Sequence, residues 1–232
     1  MEFINKLFLK LGINALRARS NAYARQFDLH LTQGLAGRLF YFQRMLEKVA
    51  RVSGDIVECG VGKAKSFQML AMLMHHYKRP ENLWGFDSFE GYPDPKPEDQ
   101  SPRERKAGEW NFLGDNLVFD VLRRAGIDED ILKRVKLVKG FVEDTLPKTA
   151  GQMGPIAFLH LDINLYSGYK TCLEKLFSKV AKGGVVLFDE YDNRNEAIVC
   201  PGAKKAIDEY FAGKPYKIER DAQYGKYFMV KS

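Results

Sequence analysis

The chain has 232 residues, 45% of them hydrophobic and 28% charged, a make-up that suits one α/β domain with a sizeable core and argues against a disordered or fibrous chain. Thirty-six Lys and Arg against 30 Asp and Glu leave a formal charge of +6, but the basic residues are scattered among acids, as in Pro102-Arg103-Glu104-Arg105-Lys106, so no nucleic-acid partner is expected. Cys59, Cys172 and Cys200 are far apart without any CxxC spacing, which speaks against a zinc site and for a reducing, cytoplasmic setting.

Taken in chain order, residues 1–37 read as an N-terminal helical extension. Phe3, Leu7, Leu11 and Ala15 share one stripe with Ile4 and Phe8, a face to pack on the domain or on a second copy in a homodimer. The first ten residues are too broken by polar side chains for a signal peptide. No apolar run reaches the roughly 20 residues of a transmembrane segment.

Residues 38–232 read as the main domain. Leu39 to Val52 is a helix with Leu39, Phe42, Leu46 and Val49 inward, ended by Ser53-Gly54. Asp55 to Cys59 is a buried strand that runs into Gly60 and Gly62. Ser66 to Tyr77 is a second helix, and Leu83 to Asp87 a second strand. Gly91 to Gly114 holds Pro93, Pro95, Pro97 and Pro102 among charges, so it reads as a long loop, a candidate lid. Asn116 to Ala125 is a helix, Val135 to Gly140 a strand, Ile156 to Asp162 a strand, and Ser167 to Val180 a helix. Lys182-Gly183-Gly184 reads as a turn before a strand at Val185 to Asp189. Pro201 to Phe211 is a further helix, and Tyr216 to Arg220 with Lys226 to Val230 a closing hairpin. Alternation of this kind predicts an α/β fold: a mostly parallel sheet with helices on both faces and an antiparallel terminal hairpin. Ligands bind such sheets at the carboxyl ends of the strands.

Those strand ends carry the informative residues. Glu58-Cys59-Gly60-Val61-Gly62-Lys63-Ala64 is not a P-loop, because Val57 and Ala64 stand where the first glycine and the Ser or Thr belong. As a dinucleotide fingerprint it lacks the third glycine, since Lys65 stands there. An acid before the glycine turn suits a ligand that carries a cationic group, and S-adenosylmethionine (SAM) carries an ammonium and a sulfonium. Asp87, ending the second strand, is positioned to accept hydrogen bonds from ribose hydroxyls, which NAD would satisfy as well. Asp162 ends the fourth strand and Asp189-Glu190 the fifth; three hard oxygen ligands there suit Mg²⁺ or a similar divalent cation. His160 lies two residues before Asp162, whereas His75 and His76 sit on a helix with no partnered acid motif.

Gly54-Asp55-Ile56-Val57-Glu58-Cys59-Gly60-Val61, Gly85-Phe86-Asp87-Ser88-Phe89-Glu90-Gly91-Tyr92-Pro93 and Val138-Lys139-Gly140-Phe141-Val142-Glu143-Asp144-Thr145-Leu146-Pro147 resemble motifs of the macrocin O-methyltransferase family. So do His160-Leu161-Asp162-Ile163-Asn164-Leu165-Tyr166, Gly183-Gly184-Val185-Val186-Leu187-Phe188-Asp189-Glu190-Tyr191 and Cys200-Pro201-Gly202-Ala203-Lys204-Lys205-Ala206-Ile207-Asp208. The similarity spans roughly residues 38–230. It implies a Rossmann-like class I methyltransferase fold with a seven-stranded sheet, and O-methylation of a sugar or glycosylated small molecule with SAM and Mg²⁺. Carried over by position, Glu58, Gly60 and Asp87 would contact SAM, with Val61, Ser88, Gly140 and Phe141 beside them. Asp162, Asp189 and Glu190 would hold the metal, although the family usually has Asp where Glu190 stands. The resemblance also implies a general base at position 164, but Asn164 is an amide and cannot take a proton at neutral pH. His160, Tyr166 and Asp192 are the alternative bases, with Asp162, His160 and Asn164 as the catalytic group. A nicotinamide-dependent oxidoreductase and a SAM-binding protein without turnover are the competing readings.

Overall fold

The computed structural model describes residues 32–111, 114–191 and 200–232; the apolar stripe of residues 3–15 and Asp192 lie outside them. Residues Arg38–Ser232 form a compact unit. Its elements begin with α1 (Gln33–Lys48), which starts earlier than the hydrophobic stripe suggested, since the Thr32 hydroxyl accepts the Leu35 N–H at 3.2 Å and starts the first turn. There follow β1 (Asp55–Cys59), α2 (Lys65–His76), β2 (Leu83–Asp87), α3 (Asp115–Arg124), α4 (Glu129–Leu132), β3 (Val135–Lys139), α5 (Val142–Thr149), β4 (Ile156–Leu161), α6 (Tyr166–Leu176), β5 (Val180–Phe188), α7 (Pro201–Phe211), β6 (Glu219–Arg220) and β7 (Tyr227–Val230).

The strands form one seven-stranded sheet in the order β3-β2-β1-β4-β5-β7-β6, with β7 antiparallel to both neighbours and the other pairings parallel. The expected fold class therefore holds, closing hairpin included. Strand order reverses between β1 and β4, which opens a crevice at their carboxyl ends. Apolar cores lie on the two sheet faces. Ile56 and Phe158 pack under α1 and α2 with Phe42, Phe67 and Leu70; Val57 and Leu159 pack under α5, α6 and α7 with Tyr169, Leu173 and Ile207.

Further details differ from expectation. Lys182-Gly183-Gly184 is no turn but part of β5, where the register with β4 shifts between Ile156 and Phe158 and Gly183 takes φ +81°. A bulge of this kind absorbs residues that a strict alternation would put in a loop. Helix α5 was not foreseen, because Pro147 interrupts its pattern. The loop after β2 is fastened rather than loose. Tyr92 N–H donates to Glu109 O at 2.9 Å and Gly108 N–H to Tyr92 O at 2.9 Å. Asp99, 4% exposed, accepts the first N–H of α6 from Tyr166 at 2.8 Å, capping that helix from a distance.

Candidate functional site: one cleft at the switch point

The cleft begins where β1 ends. Gly60 N–H donates to Phe86 O at 2.8 Å and Asp162 N–H to Cys59 O at 2.9 Å, tying the turn to both neighbouring strands. Gly60 sits at φ +96°, and a Cβ there would lie 1.8 Å from Asp162 O, so this position admits glycine alone without backbone movement. At Gly62 (φ +51°) a Cβ would meet nothing within 4 Å, because the residue faces open space. Asp87 completes this end. Its Oδ2 accepts Gly62 N–H at 2.8 Å and its Oδ1 accepts Phe89 N–H at 2.7 Å, which leaves each oxygen further acceptor capacity for a ligand.

The cavity has a volume of about 480 Å³. Among the expected donor residues, Gly60, Val61, Asp87, Ser88 and Phe141 line it. Glu58 and Gly140 do not. Glu58 shares the β1 face with Ile56 and is fully buried beneath the turn, its Oε1 2.7 Å from His160 Nδ1. The two residues are register partners across β1 and β4, so strand alternation directs Glu58 under α1 and not to the rim. Gly140, at φ +128°, donates its N–H to Asp87 O at 2.9 Å and so supports the rim from behind.

At the β4–β5 end, Asp162, Asn164, Asp189 and Glu190 all line the same cavity. His160, Asp162 and Asp189 offer ligand atoms within 4.8 Å of one another. Their charge is met by cations from distant elements. Arg38 of α1 places Nη1 3.5 Å from Asp162 Oδ2 and Nη2 3.3 Å from Asp189 Oδ1. Lys226 Nζ lies 3.0 Å from Asp189 Oδ2 and 2.6 Å from its carbonyl oxygen. The Glu190 carboxyl meets the Tyr169 hydroxyl, which also reaches Leu161 O at 2.8 Å.

Proton affinities follow from this crowding. Burial and the neighbouring Asp189 push the Asp162 carboxyl up to about 6. Burial, Asp162 and Asp189 raise Glu190 well above the carboxylate range. Burial works against ionisation of Asp189 too, but His160, Arg38 and Lys226 overcome it and hold that carboxyl low. Burial disfavours a charged His160, yet Asp189 and Glu58 raise it to about 9. The imidazole is 1% exposed and does not line the cavity.

The donor set suits a divalent cation: hard carboxylate oxygens on adjacent strands, with repulsion that a bound cation would relieve. The converging trio contains His160 where Glu190 was expected; Glu190 lines the same cavity with its carboxyl engaged by Tyr169.

The family profile described as macrocin-O-methyltransferase (TylF) matches residues 27–217. The chain belongs to the TylF macrocin-O-methyltransferase family. This TylF-family chain is 32% identical over 192 residues to demethyldecarbamoylnovobiocin O-methyltransferase of Streptomyces niveus, an alignment covering 75% of the chain and 66% of that relative. It is 32% identical over 169 residues to 8-demethyl-8-(2,3-dimethoxy-alpha-L-rhamnosyl)-tetracenomycin-C 4'-O-methyltransferase of Streptomyces olivaceus, covering 70% of the chain and 62% of that relative. The chain thus spans just under two thirds of the length of these curated relatives. Its fold is that of the calicheamicin methyltransferase CalS11, with a TM-score of 0.77 at 24% identity over 91% of this chain and 85% of the other.

Several cleft residues of this family member escaped the sequence reading. Arg38 stood at the edge of a helix with nothing to mark it. Tyr92, Arg103 and Trp110 line the cleft from the fastened loop; the Tyr92 and Trp110 ring centroids are 6.5 Å apart, and Arg103 lies 5.8 Å from the Trp110 ring. Cys200 lines it too, with Arg105 Nη2 donating to its sulfur at 3.0 Å and Asn164 Oδ1 3.5 Å away. Tyr92 and Cys200 both lie within the family motifs, but neither residue type marks a ligand contact by itself.

Proposed function

We propose that the chain is a SAM-dependent O-methyltransferase acting on a hydroxyl of a sugar or glycosylated small molecule, with Mg²⁺ or a similar cation held by Asp162, Asp189 and Glu190. One observation carries this reading: Asp87 with the glycine turn, and the acids of β4 and β5, open into the same cavity. Membership of the TylF family and the sugar-modifying relatives support the acceptor class. The nicotinamide-dependent alternative loses its ground with that membership.

SAM would bring an activated methyl group and the cation Lewis-acid polarisation of the acceptor oxygen. The chain's own part is binding and orientation. The Gly60–Gly62 turn lets the backbone approach the donor closely, while the oxygens of Asp87 accept from ribose hydroxyls. Val61 and Phe141 supply apolar wall. Asn164, held at φ +64° on the cavity wall, can hydrogen-bond an acceptor hydroxyl through its amide but cannot remove its proton. Of the other bases considered, His160 is shut behind the wall and Tyr166 donates its hydroxyl to Glu209 at 2.7 Å outside the cleft. Positioning and charge stabilisation therefore bear most of the work assigned to protein groups. Buried thiols at Cys59, Cys172 and Cys200 are in keeping with a cytoplasmic setting, and among the described residues no helix is long and apolar enough to cross a membrane.

The test is methyl transfer from labelled SAM to a panel of glycosides, with and without EDTA, for wild type and Asp189→Asn. Turnover that both EDTA and the substitution abolish supports the reading. Turnover indifferent to both removes the cation from it, and donor binding without turnover on any acceptor would favour the non-catalytic alternative that Asn164 raises.

A further inference from the structure

We propose that Arg38 and a divalent cation compete for Asp162 and Asp189, so that the cation enters this cleft as the guanidinium leaves. The inference rests on reading these acids as a cation site and adds how the site is filled when the cation is away. Arg38 spans the pair with its two outer nitrogens, 3.5 Å from Asp162 Oδ2 and 3.3 Å from Asp189 Oδ1. A planar fork can bridge two carboxylates in this way, giving an N–H to each. A single ion would have to share these same two carboxylates, since one ligand atom of each lies within 4.8 Å of the other's. Two cations in that space would repel strongly across a half-buried gap.

Arg38 is also the cation whose ion pair reaches Asp162 among the described residues, while Asp189 keeps Lys226 at 3.0 Å and His160 at 3.7 Å. Loss of Arg38 therefore leaves Asp162 to be balanced by something else. The side chain has room to leave: it is 24% exposed and lines the cavity. Its third contact, Nε to the Tyr224 hydroxyl at 3.3 Å, is a single hydrogen bond to an uncharged acceptor. Competition for one pair of carboxylates is a coupling between two cations, and it is reciprocal: whatever Arg38 costs the ion, the ion costs Arg38.

The experiment measures Mn²⁺ affinity of the full chain by the loss of its free electron-spin-resonance signal, for wild type, Arg38→Lys and Arg38→Met. Arg38→Met keeps the aliphatic stem and removes the charge; Arg38→Lys keeps the charge but loses the planar fork. Arg38→Met is expected to bind Mn²⁺ on the order of tenfold or more tightly than wild type, within the usual range for coupled sites, with Arg38→Lys between them. Adding Asp189→Asn should abolish the gain. S-adenosylhomocysteine binding and thermal melts check that each variant folds, and if Arg38→Met does not, the tighter binding expected of Arg38→Lys stands alone as the test. Equal or weaker Mn²⁺ affinity in the variants overturns the competition while leaving the cation reading intact. Absence of Mn²⁺ binding in every variant overturns both.

Discussion

At the β1–β2 end of the cleft, the Asp87 carboxylate is held by two backbone N–H groups, those of Gly62 and Phe89. At the β4–β5 end, Asp162 and Asp189 are held by side-chain cations, Arg38 from α1 and Lys226 from just before β7. The first end is built from residues close in sequence and fixed by backbone geometry. The second is a balance of long-range charges, and such a balance can be redrawn by a proton or an ion.

The sharpest way to break this comparison is Gly60→Ala. The added methyl would sit 1.8 Å from Asp162 O, a backbone atom, at φ +96°. Neither strand can yield without losing the hydrogen bonds that join the turn to β2 and β4. The expected loss is about 3 kcal/mol or more, from overpacking plus strain, read by urea unfolding. A loss under about 1 kcal/mol would mean that this end is not the rigid one.

Next in size is Asp87→Asn. The amide keeps one acceptor but loses the charge and half the acceptor capacity, so one backbone N–H or one ribose hydroxyl goes unmet. Affinity for S-adenosylhomocysteine should fall about tenfold, the order expected for losing one hydrogen bond to a charged group, with the melting temperature little changed. Calorimetric titration gives the answer, and an unaltered affinity would detach the donor from this end of the cleft.

These two residues also show what the sequence made readable. Gly60 and Asp87 lie at the ends of apolar runs, and the alternation of strand and helix alone assigns them to one rim. Arg38 is 124 positions from Asp162 and 151 from Asp189; on a helix, an arginine beside an apolar stripe looks like an ordinary surface residue. Glu58 lies behind the cleft wall for a reason the sequence did contain. In a strand its side chain must share a face with Ile56, and Ile56 belongs to the core under α1. The position next to a glycine turn outweighed that parity in the sequence reading. The bulge at Gly183 and the helix around Pro147 were hidden because each breaks the local rule by which its element would be recognised.

The acid end predicts a pH effect. His160 is raised to about 9 against an ordinary 6.5, with burial opposing and Asp189 and Glu58 outweighing it. Between those values the folded chain keeps a proton that the unfolded chain releases, so its contribution is complete below about 6.5 and lost as pH rises through about 9. In metal-free buffer the melting temperature should fall steadily from pH 7 to pH 9 by a few degrees, the scale of a one- to two-kcal/mol change in a chain of this size. His160→Gln should start lower and flatten the curve over that window. A wild-type curve that is already flat would show that the cluster does not hold the proton.

The smallest effect is expected two residues from the largest. Gly62, like Gly60, has a positive φ, but +51° lies where an L-residue can sit, and a Cβ there meets nothing within 4 Å. Gly62→Ala should therefore cost only about 1 kcal/mol in stability. The methyl would project from the cavity wall, since Gly62 lines the cleft and its N–H already anchors Asp87 at 2.8 Å. Donor affinity should consequently suffer more than folding does. If S-adenosylhomocysteine binds Gly62→Ala as tightly as wild type while the melt shifts by several degrees, then the turn is shaped for packing, and the close backbone approach assigned to it has no ligand to serve.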